Sequence, residues 1–538
     1  MITLIKRIEI VYRIINSKFY LIGITFLFLS LILLAEVNSS RQEIEIKRNL
    51  KNEKIFNIKQ EIDKIILTSG LKDTKYGIAV YSIDEKEYYY QRNIDALLTP
   101  ASNTKLFTTF SALYTLGDEY DIITTIYSDG KIIEGVLKGN LYIYGRGDGL
   151  MSVNDIEILA TKMSNLGIRK IEGNIYADDS YFETTTKRQE YSNDMDEVEP
   201  LPPVTSLTIE RNTATIIAKG VSSGVEVFSI PRSESFIFEN NVRLAYNENI
   251  KLKDYNKRDN YVYQDNQNRL GDAPPVPKKK NRTSIKINSV KMKDCKQKFV
   301  ISGYLKLGQN YAYKYFIDCP ALAVAGALKY ALINKGIEVK GAIDTKHNTN
   351  KAKYNVIAEF RRPLMELINI CNKESDNFLA ENIFKIVGAY AGDNINTSNK
   401  SRGVKRMIYD SLGIDFKNCQ INDGSGLSRR NLVTTRALIA TLIKSQYLPF
   451  ADKFYNSLAV AGTDGTLYKR MIGTAAEKNV VAKTGTLRNV SSLAGYVYTR
   501  DEELLAFSMI FNGPYVYNYK ALENKIAIFL ANLNLSAN

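Results

Sequence analysis

The chain has 538 residues, 45% of them hydrophobic and 24% charged, a globular texture with room for about two to four domains and a large buried core. The formal net charge of +14 reads first as a solvated, lysine-rich surface; a partner of that charge, if there is one, would be an anionic wall polymer or a lipid head group. The chain has no basic patch interleaved with aromatics, so nucleic acid is not an expected partner. One histidine, His347, and four scattered cysteines argue against a protein-bound transition metal, and no cofactor is expected.

Residues 19–35 form an uncharged, mostly apolar run preceded by Lys6, Arg7, Arg13 and Lys18. That bias keeps residues 1–18 cytoplasmic and sends the remainder across a membrane. The run exceeds the roughly 7–15 residues of a signal core and reaches the short end of a spanning helix. No small-x-small cleavage site follows, so an uncleaved transmembrane anchor is read in preference to a cleaved signal peptide. Either way the protein acts outside the cytoplasm. In that compartment Cys295, Cys319, Cys371 and Cys419 could form one or two bridges, with three pairings open.

Residues 36–54 are a polar spacer, after which Ile55, Ile58, Ile62 and Ile65 recur at helical spacing up to Gly70. Residues 76–83 and 87–92 alternate around Asp84, Glu85 and Lys86 as a hairpin. Pro100 and Ala101 lead into a helix with Leu106, Phe110 and Leu113 on one face and Gly117 as its stop. Short strand-like runs fill residues 121–146. A helix capped by Ser152 then carries Ile156, Leu159 and Met163. Residues 183–290 are polar and strand-like. Near their close, Pro274, Pro275 and Pro277 precede the linker-like run Lys278, Lys279, Lys280. A helix spans 321–334. Two further helices flank residues 375–377, the second buried through Phe378, Leu379, Ile383 and Ile386. Strands at 483–486, 492–498 and 504–511 and a last helix over 521–533 complete an α/β (α+β) plan, a sheet covered by helices. No internal repeat is visible.

Three short signatures carry the chemistry: Ser102-Asn103-Thr104-Lys105, Ser375-Asp376-Asn377 and Lys483-Thr484-Gly485. A hydroxyl needs a neighbouring base to become a nucleophile. A Ser-x-x-Lys spacing puts both side chains on one helical face, where neighbouring cations bias Lys105 towards the neutral base. Ser375 can relay a proton to a leaving amine, and the Asn377 amide can bind a substrate backbone and hold Lys105. Lys483 and Thr484 offer a cation and a hydroxyl to a terminal carboxylate. Gly485 lets substrate approach an edge strand. Backbone N–H groups of Ser102 and Thr486 can form an oxyanion hole. Each signature alone also reads as an ordinary helix cap or strand, but together and in this order they mark a serine-lysine site.

The surrounding segments extend the match. Leu98-Thr99-Pro100-Ala101, residues 422–429 (Asn-Asp-Gly-Ser-Gly-Leu-Ser-Arg), residues 459–467 and residues 316–321 resemble the D-alanyl-D-alanine carboxypeptidase/endopeptidase family, the class C low-molecular-mass penicillin-binding proteins. The resemblance implies a β-lactamase/transpeptidase-like domain from residues 55–120 and 320–538, its antiparallel sheet covered by helices. It also implies mainly-β insertions, one at 121–182 and 291–319 and a nested one at 183–290. It further implies a nucleophile at Ser102, a base at Lys105 and assistance from Ser375, Asn377 and Lys483, with Thr484, Gly485 and Thr486 on the substrate. An acidic residue facing the cleft is placed on Asp178. Expected partners are peptidoglycan stem peptides and cross-bridges, β-lactams as covalent inhibitors, and the membrane through the N-terminal segment. Two departures stand out: Gly147-Asp148-Gly149 replaces the family's Gly-Asp-Pro, and tryptophan is absent. The rival readings are a serine β-lactamase on the same scaffold and a non-catalytic wall-binding protein.

Overall fold

The computed structural model describes residues 1–196, 198–245, 283–347, 351–392 and 396–535. They form two units, residues 1–68 and 69–538. The first is one helix, Ile2–Thr68, which takes in the isoleucine-spaced segment and the spacer alike. Among the described residues no helix is long and apolar enough to cross a membrane.

In the second unit the half that carries the three signatures is built on a six-stranded antiparallel sheet. Its strand order is Ala459–Val460, Val481–Leu487, Val490–Tyr498, Leu504–Asn512, Lys75–Ser82 and Glu87–Arg92. The expected N-terminal hairpin is therefore one edge of a sheet otherwise made by the end of the chain. Strands Val490–Tyr498 and Leu504–Asn512 are buried almost throughout. Their alternation is erased because helices cover both faces, with Thr435–Ser445 and Val516–Ala531 packed against these strands. The last helix begins five residues before its expected start at 521. Tyr519, on its added turn, is fully buried and stacks on Phe511 at 5.4 Å.

Helix Thr104–Leu116 runs through the middle of the helical layer, buried from Thr104 to Leu113. Phe110 meets Tyr409, Phe450 and Phe454, and Phe107 meets Tyr409 and Phe416. Such ring contacts add to the several kcal/mol that burying each aromatic contributes. Gly117 adopts φ +83° and ends this helix as expected. Ser152 caps Val153–Asn165 in a reciprocal box with Asp155.

The insertions differ from the expected layout. A five-stranded sheet with partly parallel order joins Ile343–Thr345, Ile175–Asp178, Leu141–Tyr144, Asp121–Ser128 and Asn355–Pro363. It packs with helices Val153–Asn165 and Pro320–Asn334, so this insertion is α/β. The half that carries the signatures resumes at helix Leu364–Lys373, well after the expected residue 320. Residues 320–363 bury their apolar side chains with Ile126, Ile143 and Leu159 instead. Likewise 291–319 belongs with the nested insertion: Gln297–Lys306 pairs with Phe236–Ala245, and Asn310–Phe316 pairs with Thr213–Val221. The proline-rich and lysine-rich linker lies outside the described residues. Of the three possible cysteine pairings, Cys295 bonds Cys319, and Cys371 and Cys419 are buried thiols.

Candidate active site

Ser102 sits in the 3-10 turn Ala101–Asn103 that feeds helix Thr104–Leu116. The turn is pressed between two glycines. Gly426, at φ +89°, would place a β-carbon 2.0 Å from the Ala101 carbonyl oxygen. Gly485 would place one 2.7 Å from the Pro100 oxygen and 3.0 Å from the Ser102 nitrogen. Gly485 thus serves close packing of its strand on the nucleophile turn, where the sequence suggested clearance for substrate. Ser492 ties the same strands down by donating to the Pro100 carbonyl at 2.7 Å.

Lys105 is fully buried. Its Nζ lies 3.0 Å from Ser102 Oγ, 2.7 Å from Asn377 Oδ1 and 2.7 Å from the Ser425 carbonyl oxygen. Burial holds the ammonium below the ordinary lysine range, against the pull of Cys371, Asp423, Glu381 and Asp376. Desolvation, not the neighbouring cations expected from sequence, is the leading cause. Lys483, also fully buried, is held well below the usual range, first by burial and then by Lys105. It donates to Ser375 Oγ at 2.8 Å and to the Thr484 carbonyl at 3.0 Å. Ser375 reaches this position with φ +61°, in the turn between helices Leu364–Lys373 and Asn377–Tyr390. The cap of the second helix is Asp376, which accepts from the Leu379 amide at 2.9 Å. Thr484 donates to Thr466 Oγ1 at 2.7 Å, and Thr486 is exposed.

The structure therefore brings Ser102, Lys105, Ser375, Asn377 and Lys483 together, with Thr484, Gly485 and Thr486 on the adjoining strand. Asp178 is not among them. It has no exposed surface and pairs with Lys351 at 3.0 Å inside the insertion. His347 pairs with Asp179 at 2.9 Å.

Several groups at the site went unread in the sequence. Ser425 enters through its carbonyl, which no side-chain pattern reveals. Its loop is held by two buried carboxylates. Glu381 accepts from the Ser425 and Gly424 amides at 2.7 and 3.1 Å. Asp423 accepts from Gly426 and Ser428 at 2.9 and 2.7 Å. The 422–429 segment was the available signal. Glu199, from the insertion, accepts from Asn377 Nδ2 at 2.6 Å. Among the described residues no group of carboxylates, cysteines and histidine could hold a metal.

Residues 58–533 match the D-Ala-D-Ala carboxypeptidase 3 (S13) family. The chain belongs to that family. This S13 peptidase is 29% identical over 486 residues to a D-alanyl-D-alanine carboxypeptidase of Actinomadura sp. strain R39, covering 89% of this chain and 85% of the relative. It is 26% identical over 466 residues to the D-alanyl-D-alanine carboxypeptidase DacB of Haemophilus influenzae, covering 85% and 89%. Among solved structures, penicillin binding protein 4 (dacB) of H. influenzae aligns with TM-score 0.65 at 22% identity, over 88% of this chain and 99% of that one. The expected family and fold class hold, and so does the enzyme class of serine-type D-Ala-D-Ala carboxypeptidase.

Proposed function

We propose that this S13 peptidase cleaves the D-Ala-D-Ala end of peptidoglycan stem peptides, and their cross-bridges, through an acyl-enzyme on Ser102. The reading rests on one observation above the others: a fully buried lysine amine, its charge disfavoured, 3.0 Å from a half-buried serine hydroxyl. Ser102 Oγ attacks the carbonyl carbon while Lys105 Nζ takes its proton. The N–H groups of Ser102 and Thr486 receive the oxyanion. Lys483 and Thr484 bind the carboxylate of the departing residue, and the Ser375 hydroxyl passes a proton to the leaving amine as the C–N bond breaks. Water then attacks the ester, frees the acid and restores Ser102. A β-lactam carbonyl would enter the same sequence and stall as an ester on Ser102.

The basic flank and apolar run at residues 1–35 support an enzyme held at the outer face of a bacterial cytoplasmic membrane, its substrate being the wall. The decisive experiment follows D-alanine release from a stem pentapeptide and labelling by fluorescent penicillin. Wild-type protein should do both and Ser102→Ala neither. A Ser102→Ala protein that still takes the label would remove the assignment. A penicilloyl adduct that clears within seconds would turn it towards a β-lactamase.

A further inference from the structure

Asn377 stands between two groups of opposite demand. One end of its amide is 2.7 Å from Lys105 Nζ, the other 2.6 Å from Glu199. An amide is nearly the same shape when flipped, and only its partners decide which end is oxygen. An ionised carboxylate can only accept, so Glu199 requires the NH2 on its side and leaves Oδ1 facing Lys105. We infer that Glu199 is a positioning residue: by fixing the Asn377 amide it aims the lone pair of Lys105 at Ser102.

The stereochemistry of a neutral amine makes this matter. It has two N–H donors and one lone pair. Around Lys105 Nζ stand Asn377 Oδ1, the Ser425 carbonyl and Ser102 Oγ. The first two can only accept and take both N–H bonds. The lone pair is left to the one neighbour that can donate, the Ser102 hydroxyl. A flipped amide would offer Nδ2 to the lone pair and consume the base. The Ser425 carbonyl is already fixed, since Glu381 holds the amides of Gly424 and Ser425. Glu199 supplies the same service for the Asn377 amide. The second N–H of Nδ2 can serve a substrate carbonyl.

Glu199 is itself held in place. Upstream, Asp194 accepts from Ser428 Oγ at 2.7 Å and from the Arg429 amide at 2.9 Å. Arg188 donates to the Asp196 carbonyl at 2.7 Å. On either side of Glu199, Val198 and Leu201 pack against Ala101, Leu427, Leu487 and Val490. The charged groups that act on Glu199 are Lys105 and Asp376. Asp376 in turn pairs with Arg211 at 3.1 Å.

The inference rests on the proposed role of Ser102 and Lys105, so the test uses penicillin acylation of the full chain, with its rate read across pH. Glu199→Ala should slow acylation about tenfold to a hundredfold, part of the roughly 10²–10⁴ that a positioned base contributes. Deacylation should slow with it. Glu199→Gln can still accept from Asn377, and should restore the rate to within about threefold. In both variants the acid limb of the profile should move to lower pH, because the Lys105 ammonium has lost a nearby negative charge. A residue that merely supported the fold would leave that limb in place. Wild-type rates and profile in Glu199→Ala would overturn the inference. So would equal losses in the two variants, or a Glu199→Gln protein whose only change is a long-lived acyl-enzyme, the mark of a deacylation base. If Glu199→Ala does not fold, the Glu199→Gln profile decides alone, and an unmoved limb rejects the idea. A wild-type protein that is never acylated would instead refute the proposed function.

Discussion

A β-carbon at Gly485 would stand 3.0 Å from the amide nitrogen of Ser102, so the third signature and the nucleophile turn are in backbone contact. Gly485→Ala must push the strand Val481–Leu487 away from the turn, and with it the Thr486 amide. Acylation by penicillin should fall about 10²–10³-fold, the loss that follows removal of an oxyanion donor. Stability should fall by only about 1–3 kcal/mol, as for an overpacked core. Stopped-flow acylation beside thermal unfolding checks both.

Lys105 acts as a base only when neutral, and burial lowers its pKa. The acylation rate should therefore rise with pH as the ammonium loses its proton and level off below the ordinary lysine value of 10.5. Lys105→Arg, which stays protonated, should be slower by about 10²–10⁴ at every pH. A plateau reached only near pH 10.5 would count against the burial argument.

Beneath the site a second buried lysine, Lys405, donates to Thr108 Oγ1 at 3.1 Å and lies 4.4 Å from the Phe384 ring centre. Burial pushes its pKa down to about 7, against Glu381 and Asp423. Between about 7 and 10.5 the unfolded chain binds a proton that the folded one lacks, so stability should rise with pH across that window. Below about 7 the full penalty remains. Urea unfolding at several pH values should show a flatter dependence for Lys405→Met than for wild type.

Asp178→Asn removes the charge of a buried carboxylate from its pair with the partly exposed Lys351. The expected cost is about 3 kcal/mol of stability, with KM for a stem peptide unchanged. A raised KM with unchanged stability would return Asp178 to the cleft-facing role suggested by resemblance.

The meeting of Ser102, Lys105, Ser375, Asn377 and Lys483 was legible because each signature fixes its own local geometry, a helical turn, a helix start or a strand. Residues that work through the backbone or arrive from elsewhere were not legible. Ser425 contributes only a carbonyl. Glu199 comes from an insertion whose path over the site depends on contacts distant in sequence, such as Asp194 with Ser428. Asp178 misled for the converse reason: its local sequence is compatible with an exposed turn, and only Lys351 shows that the carboxylate is turned inward. The boundary at 320 failed similarly. Helix Pro320–Asn334 is apolar nearly all round, so its pattern marks burial without naming the core it joins.

Strand Lys75–Ser82 lies between Glu87–Arg92 and Leu504–Asn512. During synthesis the first hairpin leaves the ribosome well before the neighbour that completes it, because both insertions are translated in between. The hairpin must therefore wait with one hydrogen-bonding side open while both insertions emerge. A stop codon anywhere ahead of residue 504 would yield a sticky, unfinished chain, and its first encounter would be with chaperones or proteases.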